Sequence, residues 1–369
     1  MISLAGPGDP RRQTRGSLKA MRIAQVSPLI ESVPPLLYGG TERVVSNITE
    51  QLVVLGHDVT LFASADSQTN AHLVACAPSA LRLEPRSIDV LPHYMLMLEQ
   101  IRRSAHHFDL IHFHIDYLHF PLMRQLAVPH VTTRHGRQDL WDLEPLFAAY
   151  PDMPLVSISD NQRQPQPNAN WVATVYHGLP REKYSLSGGD DYLVFLGRVS
   201  PEKRVDRAIE IAKRAGRELV IAAKVDKADR GYFESCVRPL LGRPGIRFVG
   251  EVDDSGKVEL LGGAAALLFP IDWPEPFGLA MIEAMACGTP VIAWRCGSVP
   301  EVVDDGVTGR IVDSIDEAVA AVDDVTALDR SAVRRRFEER FSAERMVDDY
   351  LTVYELAVSA ATTAMSSAA

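Results

Sequence analysis

From Met21 onward, short runs dense in Val, Ile and Leu alternate with longer stretches whose apolar residues recur every three to four positions. Residues 23–26, 59–63, 110–113, 131–133 and 155–158 are among these short, Val/Ile/Leu-rich runs, which read as strands buried on both faces of a parallel sheet rather than half-exposed ones. Between them, residues 41–55 place Val44, Val45, Ile48, Leu52 and Leu55 on one helical stripe that Gly56 closes. A second set of strands is predicted at 192–196, 219–222, 246–249, 265–269 and 291–293, again with helical stretches between. Strands alternating with helices in this way imply a doubly wound α/β chain. The Ser/Gly/Asp stretch at 185–191 reads as a linker, so the seam between two domains is expected there, with 21–186 before it and 187–342 after. Residues 343–358 predict a further helix, and the Ala/Ser/Thr-rich 359–369 a mobile tail. Residues 1–20 are polar and rich in breakers; they are expected to be a disordered tail or an upstream start outside the fold.

Composition narrows the class of activity. The chain has 369 residues, 46% of them apolar, which is enough for two buried cores and argues against disorder. Its net charge of −10 disfavours a general nucleic-acid binder and leaves small-molecule chemistry as the default. Cys76, Cys236, Cys287 and Cys296 are scattered without a C-x-x-C pair, so neither a disulfide framework nor a cysteine zinc site is suggested, and a reducing cytoplasm fits. No apolar run reaches the ~18–20 residues that span a bilayer. Residues 93–103, with Tyr94, Met95, Met97, Leu98, Arg102 and Arg103, have the make-up of a weak peripheral membrane contact or of an ordinary core helix.

Four places carry candidate chemistry. Gly39 and Gly40 lie between the first strand and the helix starting near Thr41, where backbone N–H groups can approach an anion; a tight turn needing positive φ explains them equally. After the strand at 192–196 come Gly197, Arg198, Ser200, Pro201, Glu202 and Lys203. Ser200 and Pro201 predict an N-cap and first helical position, which puts Lys203 and Arg204 in a first turn whose dipole disfavours cations unless an anion such as a phosphate is bound; solvated surface cations paired with Glu202 are the alternative. Third, Glu275, Phe277, Gly278 and Leu279 enter a very apolar helix that carries Glu283 and stops at Gly288. If the helix ran through both acids, Glu275 and Glu283 would stand about 12 Å apart, suited to two ends of one ligand; internal ion pairing is the alternative. Fourth, all eleven histidines precede the seam. His135 follows a buried strand, and His112 and His114 share one face of another, where Asp116 could complete an imitation of a metal site.

Taken together, Gly39-Gly40-Thr41-Glu42, Gly197-Arg198-x-x-Pro201-Glu202-Lys203 and Glu275-x₇-Glu283 with Phe277-Gly278-Leu279 resemble the family 4 retaining glycosyltransferases. Gly288-Thr289-Pro290, Gly297-Ser298-Val299-Pro300-Glu301 and Gly306-Val307-Thr308-Gly309 extend the resemblance, which covers the chain from Met21 to about Tyr354. It implies a GT-B fold of two Rossmann-like domains facing across a cleft, the nucleotide sugar held mainly by the second and the last helix returning to the first. It also implies a metal-independent hexosyl transfer from a nucleoside-diphosphate sugar to an acceptor hydroxyl, with no further cofactor. In the family pattern Arg198 and Lys203 meet the diphosphate, Glu283 the ribose and Glu275 the hexose hydroxyls. Gly40 approaches the diphosphate, and His135 lies beside the reacting carbon.

Double displacement would need a carboxylate nucleophile, which no motif supplies; the resemblance implies front-face substitution, in which the leaving phosphate helps deprotonate the acceptor hydroxyl. Nucleotide-sugar epimerisation or hydrolysis, glycan phosphorolysis, and donor binding without turnover are the competing readings.

Overall fold

The computed structural model describes residues 20–189 and 192–368, with side chains described to 363. The expected tail over 1–20 lies, except for Ala20, outside the described residues, as do Asp190 and Asp191 of the expected linker. The chain forms two compact units, one from the residues up to Gly178 together with the segment from Ala343, the other Leu179–Ser342.

The seam therefore falls at Gly178/Leu179 rather than at 186/187. Backbone bonding explains the place: the Gly178 carbonyl accepts from Asn47 in the first unit (3.2 Å), whereas Leu179 N–H donates to the Phe341 carbonyl in the second (2.9 Å). Residues 185–189 of the expected linker lie inside the second unit, outside any helix or strand.

The first unit holds β1 (Arg22–Val26), β2 (Asp58–Ser64), β3 (His72–Ala77), β4 (Leu110–Phe113), β5 (His130–Thr133), β6 (Leu155–Ser157) and β7 (Trp171–Thr174) in the order β3-β2-β1-β4-β5-β6-β7. The second holds β8 (Leu193–Arg198), β9 (Leu219–Lys224), β10 (Ile246–Gly250), β11 (Ala266–Phe269), β12 (Val291–Trp294) and β13 (Gly309–Val312) in the order β10-β9-β8-β11-β12-β13. All described strand pairs are parallel. In each sheet the strand order reverses beside the first strand of the unit, between β1 and β4 and between β8 and β11. Ligands of open α/β sheets bind at the carboxyl edge of such a switch.

The central strands follow the expected apolar runs. β3, β7 and β13 escape that pattern because they are edge strands with mixed burial, and β10 is likewise half-exposed rather than buried. In the helix Gly40–Val54, Val44, Val45, Ile48 and Leu52 are fully buried, each contributing about 1.5–3 kcal/mol by leaving water. Leu55 instead ends the helix half-exposed, and Gly56 at φ 83° reverses the chain after it.

The residues 93–103 fall in the helix Leu91–Ser104, which buries Tyr94, Met97 and Ile101 against the core and leaves Leu91, Met95 and Leu96 outside. No described helix is long and apolar enough to cross a membrane.

The final helix runs Ala343–Ala368, so the backbone of 359–368 is helical where a mobile tail was expected. From Ala343 on the chain contains no Gly or Pro, and its alanines favour continuation.

Candidate functional site

In the second unit the loops after β8 and β11 lie side by side at the switch. Pro201–Lys203 is a single 3₁₀ turn, and the helix proper starts at Val205, after Arg204 in the left-handed region (φ 55°). Lys203 thus stands outside the helix, and the dipole argument for it does not hold; its position comes from tertiary contacts. Lys203 Nζ donates to Glu275 Oε2, and the Trp273 indole N–H donates to the same oxygen at 2.8 Å. The ammonium also sits over the rings of Phe269 (5.4 Å) and Trp273 (5.3 Å). Two further links clamp the loops together: Asp272 N–H to the Glu202 carbonyl (2.8 Å), and Arg204 Nη1 to Asp272 Oδ2 (2.9 Å).

Arg198 has a different set of partners. Its guanidinium reaches Glu202 at 2.5 Å, with Asp229 at 3.7 Å and Asp226 at 3.8 Å. The two cations expected to act together are thus each held by acids in the protein as it stands. An incoming polyanion would exchange with those carboxylates.

The loop Pro274–Gly278 is supported from behind by Gly297 and Ser298. Ser298 N–H donates to the Glu275 carbonyl (3.0 Å), and Ser298 Oγ donates to the Phe277 carbonyl (2.8 Å). Gly297, at φ 58°, lies so close that a Cβ there would stand 2.3 Å from Glu275 N and 2.5 Å from its carbonyl oxygen.

The helix Leu279–Ala286 starts after Gly278 at φ 83°, with no side chain capping it. The Phe277 ring is buried, edge-on to Phe341 at 6.0 Å, so it anchors the loop rather than lining a site.

Because the helix begins only at Leu279, helical rise does not set the separation of Glu275 and Glu283. Glu283 is buried and accepts from Lys257 Nζ at 2.6 Å, so the internal ion pair of the alternative reading is present. Sequence reasoning missed Lys257, Trp273 and Ser298. Nothing in the local pattern links Lys257 to an acid on another helix, whereas Gly297-Ser298 was visible as a motif without a role.

In the first unit, Gly39 is extended (φ 171°), so positive φ is not the reason for glycine there. A Cβ would come within 2.6 Å of Pro35 Cβ, and close approach is the reason. Gly40 opens the helix Gly40–Val54.

Behind it Glu42 is buried, its carboxyl pushed up to about 7 by desolvation and by nearby Glu31, against backbone N–H bonds that favour the charge. A carboxyl raised in the folded state contributes stability below its unfolded value, near 4.5, and loses it as pH rises through about 7. Glu42→Gln is therefore expected to make the protein more stable at pH 8 by on the order of 2–3 kcal/mol and to change little at pH 4.5, read by urea unfolding. Equal effects at both pH values would contradict this assignment.

His135, just after β5, is partly exposed, and its Nε2 lies 2.9 Å from His114 Nδ1. Its ring stacks with that of His177 at 5.3 Å. Burial, with a smaller contribution from Arg134, holds its pKa at about 3, so it is neutral. Asp116 pairs with buried Arg134 (2.6 Å), not with His112 or His114. Among the described residues no group of three or more His, Cys, Asp or Glu is arranged to hold a metal.

Two family models match the chain: glycosyl transferases group 1 over 180–341, and glycosyltransferase family 4 over 38–158. The chain belongs to the family 4 glycosyltransferases. This glycosyltransferase is 27% identical over 338 residues to α-maltose-1-phosphate synthase of Mycolicibacterium smegmatis, spanning 79% of this chain and 84% of that one. To glycogen synthase of Mycobacterium tuberculosis it is 26% identical over 389 aligned positions, 89% of this chain and 91% of that one.

Among solved structures, AviGT4, a glycosyltransferase of avilamycin A biosynthesis, superposes with a TM-score of 0.69 at 23% identity, over 92% of this chain and 98% of that one. Anabaena HepE, crystallised with UDP and glucose, gives 0.70 at 16% identity, over 91% and 99%. The fold of this glycosyltransferase is GT-B, two parallel-sheet α/β units.

Proposed function

We propose that the enzyme moves a hexosyl group from a nucleoside-diphosphate sugar to an acceptor hydroxyl, with retention, by front-face substitution and without a metal ion. The observation that carries this reading is the Lys203–Glu275 pair at the β8/β11 switch, set against the uncapped start of Leu279–Ala286.

Departure of the diphosphate places negative charge on the leaving oxygens and positive charge on the anomeric carbon. Lys203, Arg198 and the amides around Gly278 supply fixed positive charge for the first. Glu275, freed from part of its ion pair, accepts hydroxyl bonds from the hexose. Glu283, fixed by Lys257, accepts from the ribose, the Gly39–Gly40 amides serve the diphosphate, and His135 serves the reacting sugar. The leaving phosphate itself takes the acceptor proton, so the reaction needs no carboxylate nucleophile.

UDP-sugars are the first donors to try, since HepE is known with UDP-glucose. The acceptor meets the loops after β1 and β4. Cytoplasmic location, with weak peripheral membrane contact through Leu91–Ser104, belongs to the same proposal.

The test is a thermal-shift panel of UDP, GDP and ADP and their sugar conjugates, with and without EDTA. A ligand at 100 times its Kd adds ~2.7 kcal/mol to the state it binds. One diphosphate shifting Tm regardless of EDTA is expected, followed by an α-linked product from an α-linked donor. No shift with any diphosphate would sink the donor-site reading; release of free sugar without acceptor would point to hydrolysis instead. Arg198→Ala is expected to lower kcat/KM about tenfold, less than a fully committed cation would, because three acids already share its charge.

A further inference from the structure

A buried run of hydrogen bonds crosses the first unit from the last helix to His135. The Thr133 hydroxyl lies 2.9 Å from the Tyr350 hydroxyl and 2.7 Å from His112 Nε2. His112 Nδ1 is 2.7 Å from the Tyr354 hydroxyl. Gln25 Nε2 donates to that hydroxyl at 3.1 Å, while Gln25 Oε1 faces His114 Nε2 at 3.0 Å. His114 Nδ1 then meets His135 Nε2 at 2.9 Å. Gln25, on β1, sits beside His112 in the β1–β4 register, so neighbouring strands bring these groups together. His135 Nδ1 is shielded from solvent and has no hydrogen-bond partner among the described residues.

The links have one proton each, so fixing one fixes the next. Gln25 Oε1 can only accept, which puts the His114 proton on Nε2 and leaves its Nδ1 bare. That bare nitrogen must accept, so His135 donates from Nε2 and keeps a lone pair on Nδ1. Burial keeps both rings neutral, so no second proton loosens the arrangement. Turning the Gln25 amide over would reverse every bond and strand a buried N–H on His135. Native structures tolerate that less well than a bare acceptor.

We infer that Gln25 and His114 are positioning residues that lock His135 in the Nε2–H tautomer, so that its Nδ1 accepts a hydrogen bond from a substrate hydroxyl. The substrate part of this inference rests on the proposed placement of His135 at the reacting sugar. The lone pair then has a partner only when a hydroxyl supplies the proton.

Long-range ¹H–¹⁵N spectra of the full-length, histidine-labelled protein report the tautomer of each ring, with His135 assigned by its disappearance in His135→Phe. A protonated Nε2 and bare Nδ1 are expected; a protonated Nδ1 would overturn the lock. A double-mutant cycle supplies the functional readout. Gln25→Met is expected to lower kcat about tenfold with KM changed less than about twofold, and to have no further effect in a His135→Phe background. Effects that simply add would show that Gln25 acts elsewhere. If Gln25→Met does not fold, the wild-type spectrum still decides the tautomer. A protein that turns over no donor yet shows the expected tautomer would count against the proposed function and leave the lock standing.

Discussion

Gly297→Ala is expected to cost about 100-fold or more in kcat/KM while the second unit stays folded. The methyl group would stand 2.3 Å from Glu275 N and 2.7 Å from the Pro274 carbonyl carbon, contacts with backbone that cannot yield by rotating a side chain. The φ of 58° adds strain for any residue with a Cβ. The loop must shift by roughly an ångström, taking Glu275 with it, and a displacement of that size at a reacting centre costs about 100-fold. Circular dichroism and the unfolding midpoint check that the fold survives. Wild-type kcat/KM in a folded variant would show that the Glu275 loop does not position the donor.

The second large effect is on stability. His112, His114, His119, His135 and His177 are all held neutral, burial being the main cause, with Arg134 adding to it at His119 and His135 and Arg345 at His177. Their native pKa values lie below the ordinary 6.5, so below that pH the unfolded chain binds protons that the native state refuses, and stability falls with pH.

Each such histidine costs up to about 1.4 kcal/mol for every pH unit below 6.5, so five of them rival the ~5–15 kcal/mol that holds a typical domain together. Glu42 works the other way between about 7 and 4.5 but is one group against five. Urea unfolding at pH 7.5, 6.5 and 5.5 is expected to show a steep loss confined to the first unit, because every histidine of the chain lies there. Hydrogen exchange resolved by segment would show residues of β4 and β5 opening first at pH 5.5. A midpoint independent of pH over this range, or a loss shared equally by both units, would contradict the assignment.

Much of this protein was legible before any coordinates. Short unbroken apolar runs such as Leu193-Val194-Phe195-Leu196 and Leu267-Leu268-Phe269 mark central parallel strands, because a strand covered by helices on both faces has no polar side to show. The order of the motifs from Gly39 to Gly309 sufficed for the family, and several of those glycines sit where a neighbouring side chain or backbone approaches too closely for a Cβ. Gly39 against Pro35, Gly297 against Glu275 and Gly309 against Val291 are the physical reasons.

What the sequence by itself could not determine was pairing over distance. Lys203 and Glu275 become partners because strand order brings two loops together, Lys257 and Glu283 because two helices pack side by side, and Gln25, His114 and His135 because β1, β4 and β5 are neighbours. No local period records that order. The limits of the elements behaved similarly: the helix expected at Pro201 begins at Val205, and the last helix outruns its expected end. A single left-handed residue, Arg204, and a tail without breakers decide these where apolar periodicity is silent. Sequence determined which chemistry is available, through local geometry that each residue carries with it. Tertiary structure alone decided which charges are already engaged, because that depends on parallel strands far apart in the chain becoming neighbours.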